Sequence, residues 1–231
     1  MRVSIELELS NNEFEHDYRR AFMSLIKAAF QRESDILYKR MYETKTDKPF
    51  TFSVFFPELK GEQNKILLVG KKAILNFSTN DPEILIGLYN GIYKLKDYTY
   101  KTNQTFKFLS ADLKLLKTIK YKTKIFKTLS PILVNKKGDN LKFLCPKDAV
   151  FQEALNFSVK EVCSHFLNIV NPEFDIKFIK HQKMVITHFN QYMTTNKGII
   201  EIAANPEILQ LLYDVGIGVR RSQGFGMLEI I

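Results

Sequence analysis

The C-terminal segment from Gly216 to Met227, GIGVRRSQGFGM, has four glycines and two adjacent arginines. Glycine lets a backbone approach a ligand closely and turn its N–H groups toward an anion, and each guanidinium offers forked donors to a phosphate. The segment therefore predicts a site for a polyanion. The residues predicted to bind it are Gly216, Gly218, Arg220, Arg221, Ser222, Gln223, Gly224, Phe225 and Gly226.

Two other interpretations of this glycine-rich segment depend on what surrounds it. A tight connection between a helix and a strand needs the same glycines for conformation alone. A dinucleotide-binding loop is excluded, because that motif follows a strand and opens a helix, whereas this segment follows a helical pattern and precedes a terminal strand. An anion site and a tight connection both stay open.

A second basic element is the stretch from Lys114 to Lys127, KLLKTIKYKTKIFK, with six lysines and no acidic residue. Lys120, Lys122 and Lys124 are the predicted phosphate contacts. Alternatively, these lysines form a solvated strand face that protects a sheet edge. The net charge of +9 favours a polyanionic partner, since each neutralised phosphate releases counterions.

The composition limits the class of protein. The chain has 231 residues, 45% hydrophobic and 26% charged, which is typical of a globular protein, and no apolar run reaches the ~20 residues of a membrane-spanning helix. The alternating N-terminus MRVSIELELS predicts a strand, not a signal peptide. Cys145 and Cys163 are too few for a disulfide framework, and the histidine spacing suggests no metal site. We expect a cytoplasmic protein without a cofactor.

An internal repeat divides the chain. The segments Ala73–Tyr89, AILNFSTNDPEILIGLY, and Gly198–Tyr213, GIIEIAANPEILQLLY, are near-copies about half the chain apart. In each, an alternating strand leads through a polar turn into an amphipathic helix. Asp81 or Asn205 can cap that helix, and the proline and glutamate that follow suit its first turn. The repeat predicts a duplicated domain.

The pattern around each copy predicts one order of elements, β-α-β-β-α-β, which is the ferredoxin-like unit. In the first half, helices are predicted at 13–30 and 82–93, and strands at 2–9, 50–56, 66–77 and 105–116. In the second half, helices are predicted at 147–170 and 206–215, and strands at 126–134, 141–144, 174–180, 185–190, 199–203 and 227–231. The predicted fold class is α+β, with two tandem ferredoxin-like domains at 1–118 and 119–231 and one extra strand or hairpin in the second.

The stretch GIGVRRSQGFGMLEI closely resembles the C-terminal signature of the CRISPR-associated repeat-RNA endoribonucleases, in the RAMP superfamily of paired ferredoxin-like proteins. The resemblance covers nearly the whole chain and includes KPFTFS at Lys48–Ser53 and Leu-Ser-Pro at Leu129–Pro131. It implies that the chain binds CRISPR repeat RNA and cuts it without metal. The 2′-hydroxyl would attack its own phosphate and leave a 2′,3′-cyclic phosphate and a 5′-hydroxyl.

The resemblance also implies which residues act. Members of the family use a lysine before the Phe-Thr-Phe strand, here Lys48, a histidine, here replaced by Tyr38, and a helix tyrosine, which falls near Ser24. Tyr42 is a further candidate to orient the 2′-hydroxyl. Residues that could assist are Lys45, Arg40 and His16, whereas structural or RNA-contacting roles are expected for His165, His181 and His188. Tyrosine ionises near ~10 and histidine near ~6.5, so this replacement removes the usual proton exchange at neutral pH.

Several alternatives stay open. The chain is either a slow, metal-independent endoribonuclease or a non-catalytic repeat-RNA binding protein, and the basic balance disfavours a purely structural subunit of an effector complex. Tyr38 and Tyr42 can instead pack against the domain seam, and Phe225 can stack on a base or lie in the core. The expected partners are repeat RNA, single-stranded or hairpin, other Cas proteins and a second copy in a homodimer, without a membrane.

Overall fold

The computed structural model describes residues 1–231 apart from 45, 58, 63–64, 102, 116 and 137. The first half contains strands β1 (Arg2–Leu9), β2 (Glu13–Phe14), β3 (Phe50–Phe55), β4 (Leu59–Glu62), β5 (Ile66–Leu68), β6 (Lys72–Thr79), β7 (Asp97–Tyr100) and β8 (Gln104–Lys114). Its helices are α1 (Arg19–Glu33), α2 (Asp35–Tyr42) and α3 (Pro82–Leu95). None of the helices in these described ranges, or in the second half, is long and apolar enough to cross a membrane.

The second half begins after β8. Its strands are β9 (Thr123–Thr128), β10 (Asn135–Lys136), β11 (Asp139–Phe143), β12 (Phe174–His188), β13 (Gln191–Ala204) and β14 (Leu228–Ile230). Its helices are α4 (Phe151–Leu167) and α5 (Pro206–Val215), and a short 3₁₀ turn lies at Arg221–Gln223.

The two large antiparallel sheets have the same strand order. The first runs β3-β6-β1-β8-β7 and the second β12-β13-β9-β14. Without the added edge strand β7, each order is second, third, first and fourth strand of a β-α-β-β-α-β unit. This is the ferredoxin-like arrangement, present twice. The predicted fold class is therefore confirmed.

Each sheet has its own hydrophobic core. In the first, alternate residues of β1 such as Ile5 pack with Phe22 of α1 and Leu88 of α3, because successive strand side chains point to opposite faces. In the second, Phe126 of β9 packs with Val159 of α4 among other buried residues. The predicted boundary between residues 118 and 119 falls in the connection between β8 and β9. It stays a prediction.

The repeated helix starts are capped differently. The Asp81 carboxylate accepts hydrogen bonds from the backbone N–H groups of Glu83 and Ile84, as the sequence predicted. Asn205 occupies the same position before α5, but its side chain makes no capping hydrogen bond. The capping prediction is thus confirmed for α3 and wrong for the side chain before α5.

Five predicted elements differ from the structure. The strand predicted at 66–77 is divided into β5 and β6, which belong to different sheets. The first helix was predicted from residue 13, but Phe14 lies in β2 and pairs with Ile66; its spacing to later apolar residues is helical by coincidence. Strands predicted at 174–180 and 185–190 form one continuous strand, β12, paired along its length with β13. The polar residues between them continue the strand. Their pattern resembles a break between two strands because this long hairpin is exposed there. The strand predicted at 126–134 ends at Thr128.

Arg2 joins the two halves. Its guanidinium donates to the backbone oxygens of Tyr213 (2.5 Å) and Leu228 (2.6 Å) and to the Glu229 carboxylate (3.0 Å). It also lies 3.5 Å above the Tyr213 ring. A buried charge with this many acceptors fixes the start of β1 against α5 and β14.

Candidate active site

A cavity of about 300 Å³ opens where α1, the end of α2 and the 3₁₀ turn meet. Its lining residues come from both halves of the chain: Arg20, Met23, Ser24, Lys27, Tyr42, Lys48, Tyr100, Phe189, Ser222 and Gln223. Three of the four predicted catalytic residues, Ser24, Tyr42 and Lys48, therefore share one cavity with part of the glycine-rich segment. We call this cavity the candidate site.

One face of α1 supplies four of these residues. Arg20, Met23, Ser24 and Lys27 recur at three- and four-residue spacing, so they lie on one side of the helix. The opposite side, with Phe22, Leu25, Ile26, Ala29 and Phe30, is buried in the first core. Burial of that apolar side forces the polar side, with its two basic residues, toward the second half.

Tyr42 lies between two lysines. The ammonium nitrogen of Lys48 is 5.1 Å from the Tyr42 ring centroid, and that of Lys27 is 5.5 Å from the same centroid. Both distances suit cation–π attraction. Burial, and to a smaller extent Tyr38, raises the pKa of Tyr42 far above its usual value of 10.0. The phenol therefore keeps its proton at neutral pH and can donate a hydrogen bond.

Lys48 lies in the segment that leads into β3. Burial lowers the pKa of Lys48 below its ordinary value of 10.5, and the adjacent Asp47 opposes the shift only in part. Desolvation disfavours the charged form of an amine, and this cation gains from any anion that enters the cavity. A phosphate oxygen is such an anion.

The two remaining predicted catalytic residues differ in their position. The hydroxyls of Ser24 and Tyr98 share a hydrogen bond of 2.5 Å, so a second tyrosine holds Ser24 in the cavity wall. Tyr38 does not line the cavity. Its ring is tilted against Tyr42 with 5.5 Å between centroids and lies 5.6 Å from the Lys27 nitrogen. Tyr38 supports Tyr42 from one helical turn away.

The glycine-rich segment is mostly an internal structure. Phe225 is completely buried and lies 5.4 Å from the His188 ring, so in this arrangement it cannot stack on a base. The N–H of Gly226 donates to Pro131 and that of Gly224 to Arg221, so they are not exposed to an anion. Gly216 and Gly218 are also buried. The partners of these five positions are within the protein, which supports a structural role, and their RNA contact stays a prediction.

The two arginines of the segment have different surroundings. Arg221 is 5% exposed, and its guanidinium donates to the Val215 oxygen (3.2 Å) and to Asp47 (3.1 Å). These partners support a structural role for Arg221, and its phosphate contact stays a prediction. Arg220 is partly exposed and lies above the Phe143 ring at 5.2 Å. Of the predicted binding residues in this segment, Arg220, Ser222 and Gln223 stay accessible.

Replacement of Arg221 by alanine is expected to lower the free energy of unfolding by about 2–3 kcal/mol, because the Val215 oxygen loses a buried donor. Urea denaturation followed by circular dichroism measures the change. Arg32→Ala, at an exposed position of α1, is the matched control and should cost less than about 0.5 kcal/mol. An Arg221→Ala protein of unchanged stability would contradict the structural role.

A buried histidine connects Gln223 to the first half. His188 Nδ1 donates to the Asp17 carboxylate (2.6 Å), and its Nε2 lies 3.2 Å from Gln223 Oε1. Asp17 also accepts from the backbone N–H of Phe189 at 2.8 Å. The tip of the β12–β13 hairpin is thereby fixed to the residues before α1, and Gln223 is held at the wall of the candidate site.

Removal of this histidine should loosen that link. We expect His188→Ala to lower the free energy of unfolding by about 1–3 kcal/mol, since Asp17 loses a charge-assisted hydrogen bond. The exposed His165→Ala is the matched control and should leave the urea midpoint nearly unchanged. Equal midpoints for both variants would show that the Asp17 bond contributes nothing.

Other predicted residues lie outside the site. Arg40 is bound by Asp81 (2.9 Å) and Glu83 (2.6 Å) at the start of α3 and does not line the cavity, so its assistance stays a prediction. His16 precedes α1 and does not line the cavity. Lys45 lies outside the described residues. Lys120, Lys122 and Lys124 do not line the candidate site, and their phosphate contacts stay predictions. β9 runs between β13 and β14, but β14 pairs only with Phe126–Thr128, so the edge-strand alternative for Lys124 stays open.

Sequence reasoning missed Lys27, Arg20, Tyr100 and Phe189. The helical spacing of Arg20 and Lys27 with Ser24 was visible in the sequence and would have identified them. Tyr100 and Phe189 come from β7 and the hairpin tip, and no local pattern relates them to the site. In the described ranges, no group of three or more histidine, cysteine or acidic side chains has the arrangement of metal ligands.

Solved structures with a similar fold cover the whole chain. The product of a Cas6-related gene from Pyrococcus furiosus matches with a TM-score of 0.86 at 24% identity, covering 100% of this chain and 98% of that one. A RAMP protein described as binding different RNA substrates matches with a TM-score of 0.84 at 21% identity, covering 100% and 99%. The chain therefore has the same fold as these two proteins.

Sequence comparison is more specific. Residues 113–230 match the family model for CRISPR associated protein Cas6, C-terminal. A CRISPR-associated endoribonuclease-like protein Cas6 of Pyrococcus furiosus is 30% identical over 168 residues, 68% of this chain and 67% of the relative. The chain belongs to the Cas6 family, and the resemblance seen in its C-terminus is confirmed. A CRISPR-associated endoribonuclease Cas6 of Methanocaldococcus jannaschii is 26% identical over 239 residues, 98% of this chain and 91% of the relative.

Proposed function

We propose that this chain binds CRISPR repeat RNA and cuts it by metal-independent attack of a 2′-hydroxyl on the adjacent phosphate. The observation that supports cleavage most directly is the pairing of two ammonium groups, Lys27 and Lys48, with the protonated Tyr42 in one open cavity. Two cations and a hydroxyl donor suit a phosphate that gains negative charge as it reacts.

The proposed roles follow from charge and protonation. Lys48 and Lys27 stabilise the negative charge on the phosphorane. Tyr42 and Ser24 donate or accept hydrogen bonds that orient the 2′-hydroxyl. The 2′-oxygen forms a bond to phosphorus while the bond to the 5′-oxygen breaks. One water molecule takes the 2′ proton, and a second water molecule donates a proton to the leaving 5′-oxygen. The products are a 2′,3′-cyclic phosphate and a 5′-hydroxyl.

A second candidate function is repeat-RNA binding without cleavage. The observation in its favour is that the described residues lining the candidate site include no histidine and no carboxylate. General acid–base help contributes about 10²–10⁴-fold to such reactions, so its lack predicts slow turnover or none. The cations would still attract the RNA.

One assay distinguishes the two functions. Labelled repeat RNA is incubated with excess protein in EDTA, and products are resolved beside a matched RNA with a 2′-deoxy nucleotide at the cleavage position. Cleavage requires a cyclic phosphate product from the first RNA and none from the second. Tight binding with both RNAs intact would establish the binding function instead, and absence of binding would reject both.

A further inference from the structure

The candidate site borders two further cavities. A second cavity, of about 330 Å³, shares Lys48 and Ser222 with it. A third, of about 610 Å³, shares Ala154 and Phe157 with the second. The three therefore follow one another from α1, across the 3₁₀ turn, to the exposed face of α4. Each volume is within the range of known ligand sites, ~300–1,000 Å³.

The charge of this row of cavities suits a polyanion. Seven basic residues line it, against three acidic ones, and without the ion-paired Arg221 and Asp47 the balance is six against two. One of the acids, Asp47, is already bound by the buried Arg221 at 3.1 Å. In the third cavity, Lys136 and Lys160 line a wall that also contains Glu153. The excess of cations continues from the candidate site to the end of the row.

An aromatic ring lies at the border between the second and third cavities. Phe157 of α4 is 38% exposed and lines both of them. Exposed aromatic rings beside lysines are the arrangement that binds single-stranded nucleic acid, because bases stack on the ring while cations contact the phosphates. A paired stem would not present a free base face to this ring.

We propose that the second and third cavities bind the unpaired nucleotides next to the scissile phosphate, with one base stacked on Phe157. This rests on the proposed function, since it assigns a path to the same RNA. The phosphate between the candidate site and the second cavity passes Lys48, and Lys136 and Lys160 contact phosphates farther along. The nucleotides on this side of the cleavage point must then be single-stranded.

The test measures affinity for a 2′-deoxy, uncleavable repeat RNA by fluorescence anisotropy. Phe157→Ala should raise the Kd about 10-fold, as expected for the loss of one stacked base. Phe55→Ala is the matched control, because Phe55 is 56% exposed and lines none of the three cavities. Single abasic substitutions along the RNA should then identify one nucleotide position. Loss of the base there should weaken RNA binding by the wild type about 10-fold and RNA binding by Phe157→Ala hardly at all.

Each outcome is decisive. Equal affinity of Phe157→Ala and the wild type, or abasic costs that are the same in both proteins, would overturn this inference while leaving the proposed function intact. A wild type that binds no repeat RNA would reject the proposed function and this inference together. If Phe157→Ala does not fold, the double variant Lys136→Ala/Lys160→Ala decides: the slope of log affinity against log salt should fall by about 1.4, and an unchanged slope overturns the proposed path.

Discussion

Replacement of Lys48 by alanine is expected to lower the single-turnover rate of repeat-RNA cleavage by about 10²–10³-fold, as removal of one transition-state donor does in other enzymes. The half-buried ammonium of Lys48, 5.1 Å from the Tyr42 ring centroid, is placed to stabilise the charge on the reacting phosphate. Affinity for the uncleaved RNA should change far less, because the contact strengthens as the charge develops. Lys94→Ala is the control. Lys94 lies on α3 and is bound to Glu33 of α1, so this variant should cleave at the wild-type rate.

The pH dependence gives a second measure of the same role. Burial lowers the pKa of Lys48 below its ordinary value of 10.5. The amine is therefore protonated at low pH and, as the pH rises, loses its proton before the pH reaches 10.5. If the cation stabilises the transition state, the rate is full below the lowered pKa and declines above it. Lys48→Arg should retain part of the activity and lose this decline, because arginine stays charged. Any rise that comes from deprotonation of the 2′-hydroxyl is common to both proteins, so identical pH profiles of the wild type and Lys48→Arg would contradict the role proposed for Lys48.

Replacement of Gly226 by alanine is expected to lower the free energy of unfolding by at least ~3 kcal/mol. Gly226 has φ of +70°, and a Cβ there would lie 1.9 Å from the backbone oxygen of Ile217. The clash is between backbone atoms, which cannot move aside as a side chain can. The strain of a left-handed residue adds about 1–2 kcal/mol. Thermal and urea denaturation would both show the loss.

Gly138→Ala is the matched control for this prediction. Gly138 has φ of +78°, but a Cβ there meets nothing within 4 Å. Its cost should be limited to about 1 kcal/mol of conformational strain. The difference in the free energy of unfolding between the two variants measures the cost of the backbone clash, separated from the cost of the left-handed conformation. If Gly226→Ala kept its stability and lost only RNA affinity, the glycine would serve a ligand and the structural role assigned here would be wrong.

Much of the fold followed from the sequence because its signals are local. Alternation gave β1 and β6, helical spacing gave the buried side of α1, and the Asp81-Pro82-Glu83 start gave α3. The two PEIL copies indicated the duplication that the two identical strand orders confirm. The errors occurred where a local pattern is compatible with more than one secondary structure. Phe14 fits the spacing of a helix and of a strand equally well. An exposed hairpin has no alternation of apolar residues that would mark its strands.

The candidate site was only partly predictable. Family resemblance indicated Lys48, and the hydroxyls of Ser24 and Tyr42 lie beside it. The remaining wall depends on contacts between distant residues, such as the His188 bond to Asp17, 171 positions away. No sequence window contains both partners of such a bond.

The sequence by itself determined that four glycines near the C-terminus allow backbone conformations that other residues rarely adopt. It also determined that two adjacent arginines lie among them. Only the tertiary structure decided what the glycines approach. They meet Thr51, Phe52, Leu133 and Ile217 of the protein itself, not a ligand. The physical reason is that a left-handed conformation is a property of one residue, whereas the atoms that occupy the space beside it come from strands brought there by folding.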